Sequence, residues 1–130
     1  PPRAQCSLKG HLNVTERGNV PADTITNPFL ARLREKVLIA DGAMGTTIQS
    51  YDLSPADFHG LDGCNEYLVI SRPDIVRDIH RSFLDAGADI LLTNSFGSAA
   101  IVLAEYDIGE RARELSRLSA QIAREAADSY

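Results

Sequence analysis

The sequence predicts an α/β fold in which parallel strands are covered by helices. Three observations predict it. Two short apolar runs, Val37-Leu38-Ile39-Ala40 and Asp89-Ile90-Leu91-Leu92-Thr93, end abruptly in polar residues, as strands buried on both faces of a parallel sheet do. Between them lies a helical pattern that stops at Gly87, and a second helical pattern follows the second run. The order is β-α-β-α, and the crossover through the first helix makes the two strands parallel.

Bulk properties narrow the functional classes. With 130 residues, 44% hydrophobic and 24% charged, the chain reads as one soluble globular domain. It has no run of roughly 18 apolar residues, the length a membrane span needs, and its first thirty residues lack the apolar centre of a signal peptide. No membrane partner and a cytoplasmic location are expected. Cys6 and Cys64 are too few for a disulfide framework or a four-ligand zinc site, so reduced thiols are expected. A net charge of -5 argues against nucleic acid as a partner, since phosphate binding needs a basic surface.

Residues 1–26 mix Pro, Gly, Asn, Thr and charges without a sustained period and are expected to form a mobile extension. Asn27-Pro28 then suits a helix start, giving a short helix to about Glu35 with Phe29, Leu30 and Leu33 facing inward. After the first strand, Asp41 to Tyr51 begins as a glycine-containing loop and winds into a helix from Thr46 to Ser50. Residues 52–63, with Pro55, Gly60 and Gly63, form a long excursion. The main helix opens at Ser71-Arg72-Pro73-Asp74, with Ser71 as cap and Asp74 completing a box-like spacing. Ile75, Val76, Ile79 and Phe83 form its apolar stripe. Beyond the second strand, Ala99 to Glu105 is a short helix interrupted near Tyr106. Asp107 is expected to cap a long final helix, with Ile108, Ala112, Leu115, Leu118 and Ile122 inward.

In parallel α/β folds the loops leaving the carboxyl ends of strands build the ligand site. The first such loop, Asp41-Gly42-Ala43-Met44-Gly45-Thr46-Thr47, places a carboxylate at a strand tip, suited to an ammonium or a hydroxyl. Its glycines let a small ligand approach backbone N–H groups. Asp41 could equally cap the following turn. The loop has neither the Gly-x-Gly-x-x-Gly fingerprint nor a Gly-Lys-Ser/Thr ending, which argues against a nucleotide. In the second loop, Thr93-Asn94-Ser95 could hold a substrate carboxylate or satisfy the turn's own backbone, and Phe96 is expected to wedge into the core. Cys64 is expected to be buried rather than reactive, His80 to pack or lie at the surface rather than bind metal, and His11 and His59 share no metal-ligand spacing.

Together the runs Val37 to Thr46, Gly63-Cys64-Asn65-Glu66, Ser71 to Ile75, Ala86 to Ile90 and Thr93 to Gly97 resemble, in order and spacing, the amino-terminal part of the homocysteine S-methyltransferase barrel in its cobalamin-dependent branch. The resemblance covers about Phe29 to Tyr130. It implies the amino-terminal portion of a (β/α)8 TIM barrel, incomplete, with about two of its parallel strands over residues 27–130. It also implies homocysteine as substrate, a zinc ion whose ligands lie outside this chain, and cobalamin bound by other modules of a parent enzyme that also carries folate modules. Asp41, Gly42, Ala43, Met44, Gly45 and Thr46, with Thr93 and Asn94, would line the amino-acid end of homocysteine. The chain alone, lacking the family's zinc-binding cysteines, would be inactive. Relatives that use S-methylmethionine or betaine share the barrel and leave the methyl donor open, and a non-catalytic fragment is the third reading.

Overall fold

A computed structural model describes residues 27–130, so the mobile extension expected over residues 1–26 lies outside the described residues. The chain divides into two units between Lys36 and Val37. In the first, helix α1 spans Pro28–Glu35. Its start follows the sequence: Asn27 Oδ1 accepts from the Phe29 N–H at 2.9 Å and Pro28 occupies the first turn. None of its residues is buried, however, and Phe29, Leu30 and Leu33 are 46–49% exposed rather than inward. At eight residues the helix makes about two turns, too short to enclose an apolar face by itself.

The second unit is built on two extended segments that meet at one parallel bridge, Ala40 to Ile90. The Asp41 N–H donates to Ile90 O at 2.9 Å and the Ile90 N–H to Ile39 O at 3.1 Å. The Asp89 carboxylate adds a bond by accepting from the Ile39 N–H at 3.1 Å. The parallel pairing follows the expectation, but among the described residues no full strand forms. Nor are the runs buried on both faces: Val37 is 84% exposed, Ile39 61% and Leu92 54%. A parallel ladder gains its length from neighbours on both edges, and among the described residues each segment pairs with the other alone.

Helices cover the pair. After α2 (Met44–Gln49), the excursion contains a 3-10 turn over Pro55–Phe58, closed by a reciprocal Ser54–Asp57 capping box. A second 3-10 turn, Asn65–Tyr67, runs into α3 (Leu68–Ser71), which abuts α4 (Pro73–Asp85). Ser71 therefore ends one helix instead of capping the next, and its hydroxyl donates back to Tyr67 O at 3.4 Å. The residue before α4 is Arg72, whose guanidinium holds Asp74 at 2.8 Å and Asp57 at 2.7 Å. That pair of contacts anchors the excursion to the start of α4. Gly87 closes the helix region with φ of 93°, as expected.

After Gly87 and the second segment come α5 (Ala100–Leu103) and a 3-10 turn over Ala104–Tyr106, the expected interrupted helix. Asp107 is not a cap. It takes a left-handed conformation, φ 56°, and a further 3-10 turn over Gly109–Arg111 leads into α6 (Ala112–Asp128). Gly109 is required here, because an added Cβ would lie 2.8 Å from Ala100 O. The core forms where α3, α4 and α6 pack, around Leu68, Val69, Ile75, Val76, Ile79, Leu115 and Ile122. Ser119, Ala123 and Ala126 are also buried on α6, since small side chains let helices approach closely. Each large side chain in this layer contributes about 1.5–3 kcal/mol by leaving water.

Candidate functional site

The carboxyl ends of the two extended segments open onto a cavity of about 480 Å³. It is lined by Asp41, Gly42, Ala43, Met44 and Gly45 from the first loop and by Leu92, Thr93, Asn94, Ser95 and Phe96 from the second, with Asn65 and Glu66 between. Seven of the sequence-predicted site residues thus meet at one cavity: Asp41, Gly42, Ala43, Met44, Gly45, Thr93 and Asn94. Thr46 stands outside the lining, exposed on α2. The helix begins earlier than expected, at Met44, because Ala43 takes the left-handed conformation (φ 51°) that turns the chain into it. That turn aims the short Gly42-Ala43 stretch at the cavity and carries Thr46 past it.

Asp41 does not cap α2. Its Oδ1 accepts from the Leu92 N–H at 2.7 Å, so the carboxylate ties the tip of one segment to the other. The residue is 7% exposed. Its Oδ2 lies 3.6 Å from Nδ1 of His80 on α4, too long for a hydrogen bond. His80 is fully buried, the packed rather than the surface alternative, and burial pushes its pKa below the ordinary value more than Asp41 raises it.

Asn94 is 5% exposed and donates from Nδ2 to Asn65 O at 2.8 Å. It therefore satisfies a backbone group, though one across the cavity rather than in its own turn. The Thr93 and Ser95 hydroxyls share a 2.6 Å hydrogen bond at the rim. Glu66, a residue sequence reasoning missed as a wall, accepts from the Gly97 N–H at 2.7 Å through Oε1. A Cβ at position 97 would lie 2.7 Å from that oxygen, so the close approach depends on glycine. Phe96 is not a core wedge: fully exposed, it projects at the cavity edge.

Electrostatically, the lining carries two carboxylates, Asp41 and Glu66, and no Lys, Arg or His. A cationic group would be favoured beside them, and Asn65, Thr93, Asn94 and Ser95 supply uncharged hydrogen-bonding groups. Cys64, fully buried and outside the lining, has its thiol pKa pushed up by burial, which opposes nucleophilic use. His59 instead stacks edge-on against Tyr67, with ring centres 5.8 Å apart. Among the described residues no group of three or more His, Cys, Asp or Glu side chains is placed to hold a metal ion. No helix among them is long and apolar enough to cross a membrane.

A strand-tip cavity of this kind, on parallel segments covered by helices, is the ligand end of an α/β protein. The sequence matches the model of the homocysteine S-methyltransferase family over residues 38–130, and the chain belongs to that family, whose domain is a TIM barrel. It is 49% identical over 96 residues to the methionine synthase of Mycobacterium tuberculosis (strain ATCC 25618 / H37Rv), a match covering 74% of the chain and 8% of that protein. It is 46% identical over 100 residues to the methionine synthase of Mycobacterium leprae (strain TN), covering 77% and 8%. The resemblance read from the motifs to the homocysteine-binding region of methionine synthase is therefore shown. The chain spans about 8% of the length of these curated relatives.

Proposed function

We propose that the chain forms part of the substrate mouth of a cytoplasmic methyltransferase that moves a methyl group from methylcobalamin, and ultimately from 5-methyltetrahydrofolate, to the thiol of homocysteine, giving methionine. The observation that carries the reading is the meeting of Asp41 with Thr93 and Asn94 around one cavity whose lining holds carboxylates but no basic side chain. Homocysteine presents an ammonium, a carboxylate and a thiol. In this reading the ammonium faces Asp41, while Thr93, Asn94 and the glycine-flanked backbone of the first loop take the carboxylate, with Met44 against the carbon chain.

This arrangement binds and orients; it supplies no group to activate the thiol. The described residues do not fit zinc, since they offer no cluster of three suitable ligands and Cys64 is buried away from the cavity. In the proposal, zinc, cobalamin and folate are held by parts of the enzyme other than these residues. The test is calorimetric titration of homocysteine into a full-length enzyme carrying this chain, wild type against Asp41→Ala. Loss of one charge-assisted contact predicts affinity weaker by about tenfold or more. Equal affinity would defeat the assignment.

A further inference from the structure

His80 is buried in the middle of α4, yet neither ring nitrogen has a hydrogen-bond partner. Buried polar groups are normally paired, so such a ring calls for an explanation. Its Nδ1 is aimed at Asp41: 3.6 Å separates it from Oδ2, with side chains 0% and 3% exposed. No water fits across that gap, and a shift of under about 1 Å would close it to a hydrogen bond. The other carboxylate oxygen, Oδ1, is already held by the Leu92 N–H. One oxygen of Asp41 is thus fixed by the neighbouring segment, and the second is approached by the helix layer.

We propose that His80 is a positioning residue for Asp41, whose Nδ1–H closes on Oδ2 and sets the carboxylate plane toward the cavity so that it receives the ammonium of an amino-acid ligand. The inference rests on the reading of Asp41 given under Proposed function. Histidine suits the task better than lysine or arginine. Burial favours the uncharged imidazole, which orients the carboxylate without cancelling the negative charge that an ammonium needs. A neutral ring carries one N–H, and the adjacent carboxylate favours placing it on Nδ1.

The test uses a full-length enzyme carrying this chain and two ligands, homocysteine and its des-amino analogue 4-sulfanylbutanoate, each titrated calorimetrically. His80→Leu fills the space with an apolar side chain of similar size and removes the donor; homocysteine affinity should fall about tenfold while the analogue binds as before. His80→Asn, whose amide nitrogen can take the place of Nδ1, should recover most of the loss, whereas His80→Gln, reaching toward the Nε2 position, should not. The Asn and Gln pair decides the matter even if His80→Leu does not fold. Unchanged homocysteine affinity in His80→Leu, parallel loss of both ligands, or equal behaviour of Asn and Gln would overturn the proposal. Asp41→Asn, run alongside, separates the two ideas. If it binds homocysteine like wild type, the reading of Asp41 fails and this inference with it; if it loses homocysteine while His80→Leu does not, only the inference fails.

Discussion

The Asp41 carboxylate and the Leu92 N–H, 2.7 Å apart, join the tips of the two extended segments just where the cavity opens. The acid is therefore both a brace and a cavity wall. Asp41→Ala, besides weakening homocysteine binding, should destabilise the fold by about 1–3 kcal/mol, because the Leu92 donor loses a charged acceptor. Urea denaturation of wild type and variant measures this. A change below about 0.5 kcal/mol, the scatter of ordinary surface substitutions, would show the brace to be idle.

The approach of Glu66 to Gly97 gives a second expectation. In Gly97→Ala the new Cβ would meet Glu66 Oε1 at 2.7 Å, forcing the carboxylate off the Gly97 N–H. We expect a loss of about 1–3 kcal/mol in urea denaturation, the cost of breaking a hydrogen bond to a charged group. Glu66→Gln should be milder, since its amide oxygen still accepts. An equal or larger loss for Glu66→Gln would mean that charge, not fit, holds the contact.

In the helix layer, Leu115 is fully buried and Phe96 fully exposed. Leu115→Ala should therefore cost about 2–5 kcal/mol, transfer and cavity together. Phe96→Ala should stay within about 0.5 kcal/mol. Chemical denaturation of both variants makes the comparison, and a large Phe96 effect would contradict the exposed placement.

Acid stability should depend on Asp57. Its pKa lies below the ordinary 3.8, at about 2, because the Ser54 backbone N–H, the Ser54 hydroxyl and then Arg72 hold its carboxylate. Between those two values the unfolded chain binds more protons than the folded one, so stability rises with pH. The contribution is present above pH 3.8 and is lost as pH falls through about 2. Urea midpoints measured across that range should slope more steeply for wild type than for Asp57→Asn. Parallel slopes would remove Asp57 from the account.

The parallel pairing and the two strand-tip loops were legible because an apolar run that stops at a polar residue reports where a buried segment ends. Seven of the eight residues assigned to the homocysteine pocket line the cavity. Glu66 and Asn65 were not legible as walls, since they arrive from a segment distant in sequence and are tied to the second loop by two hydrogen bonds, from the Gly97 N–H to Glu66 Oε1 and from Asn94 Nδ2 to Asn65 O. Helix starts were harder. Ser71 and Asp107 have the composition of caps, but α3 abuts α4 directly and Asp107 bends left-handed before a 3-10 turn. Phe96 illustrates the remaining limit: an aromatic residue beside a glycine reads as core, and only the turn decides which way it points.

The single bridge between Ala40 and Ile90 divides the second unit by rigidity. Amide hydrogens in α4 and α6 are held in repeating ladders over a packed interior, whereas the segment tips are held by a few isolated bonds. Local opening begins where such bonds are fewest. In hydrogen–deuterium exchange the helices should stay dark longest, and the amides of Asp41 and Leu92 should exchange early. A ligand seated between those tips would act as the missing cross-link, and its arrival would be visible as slowed exchange at these amides.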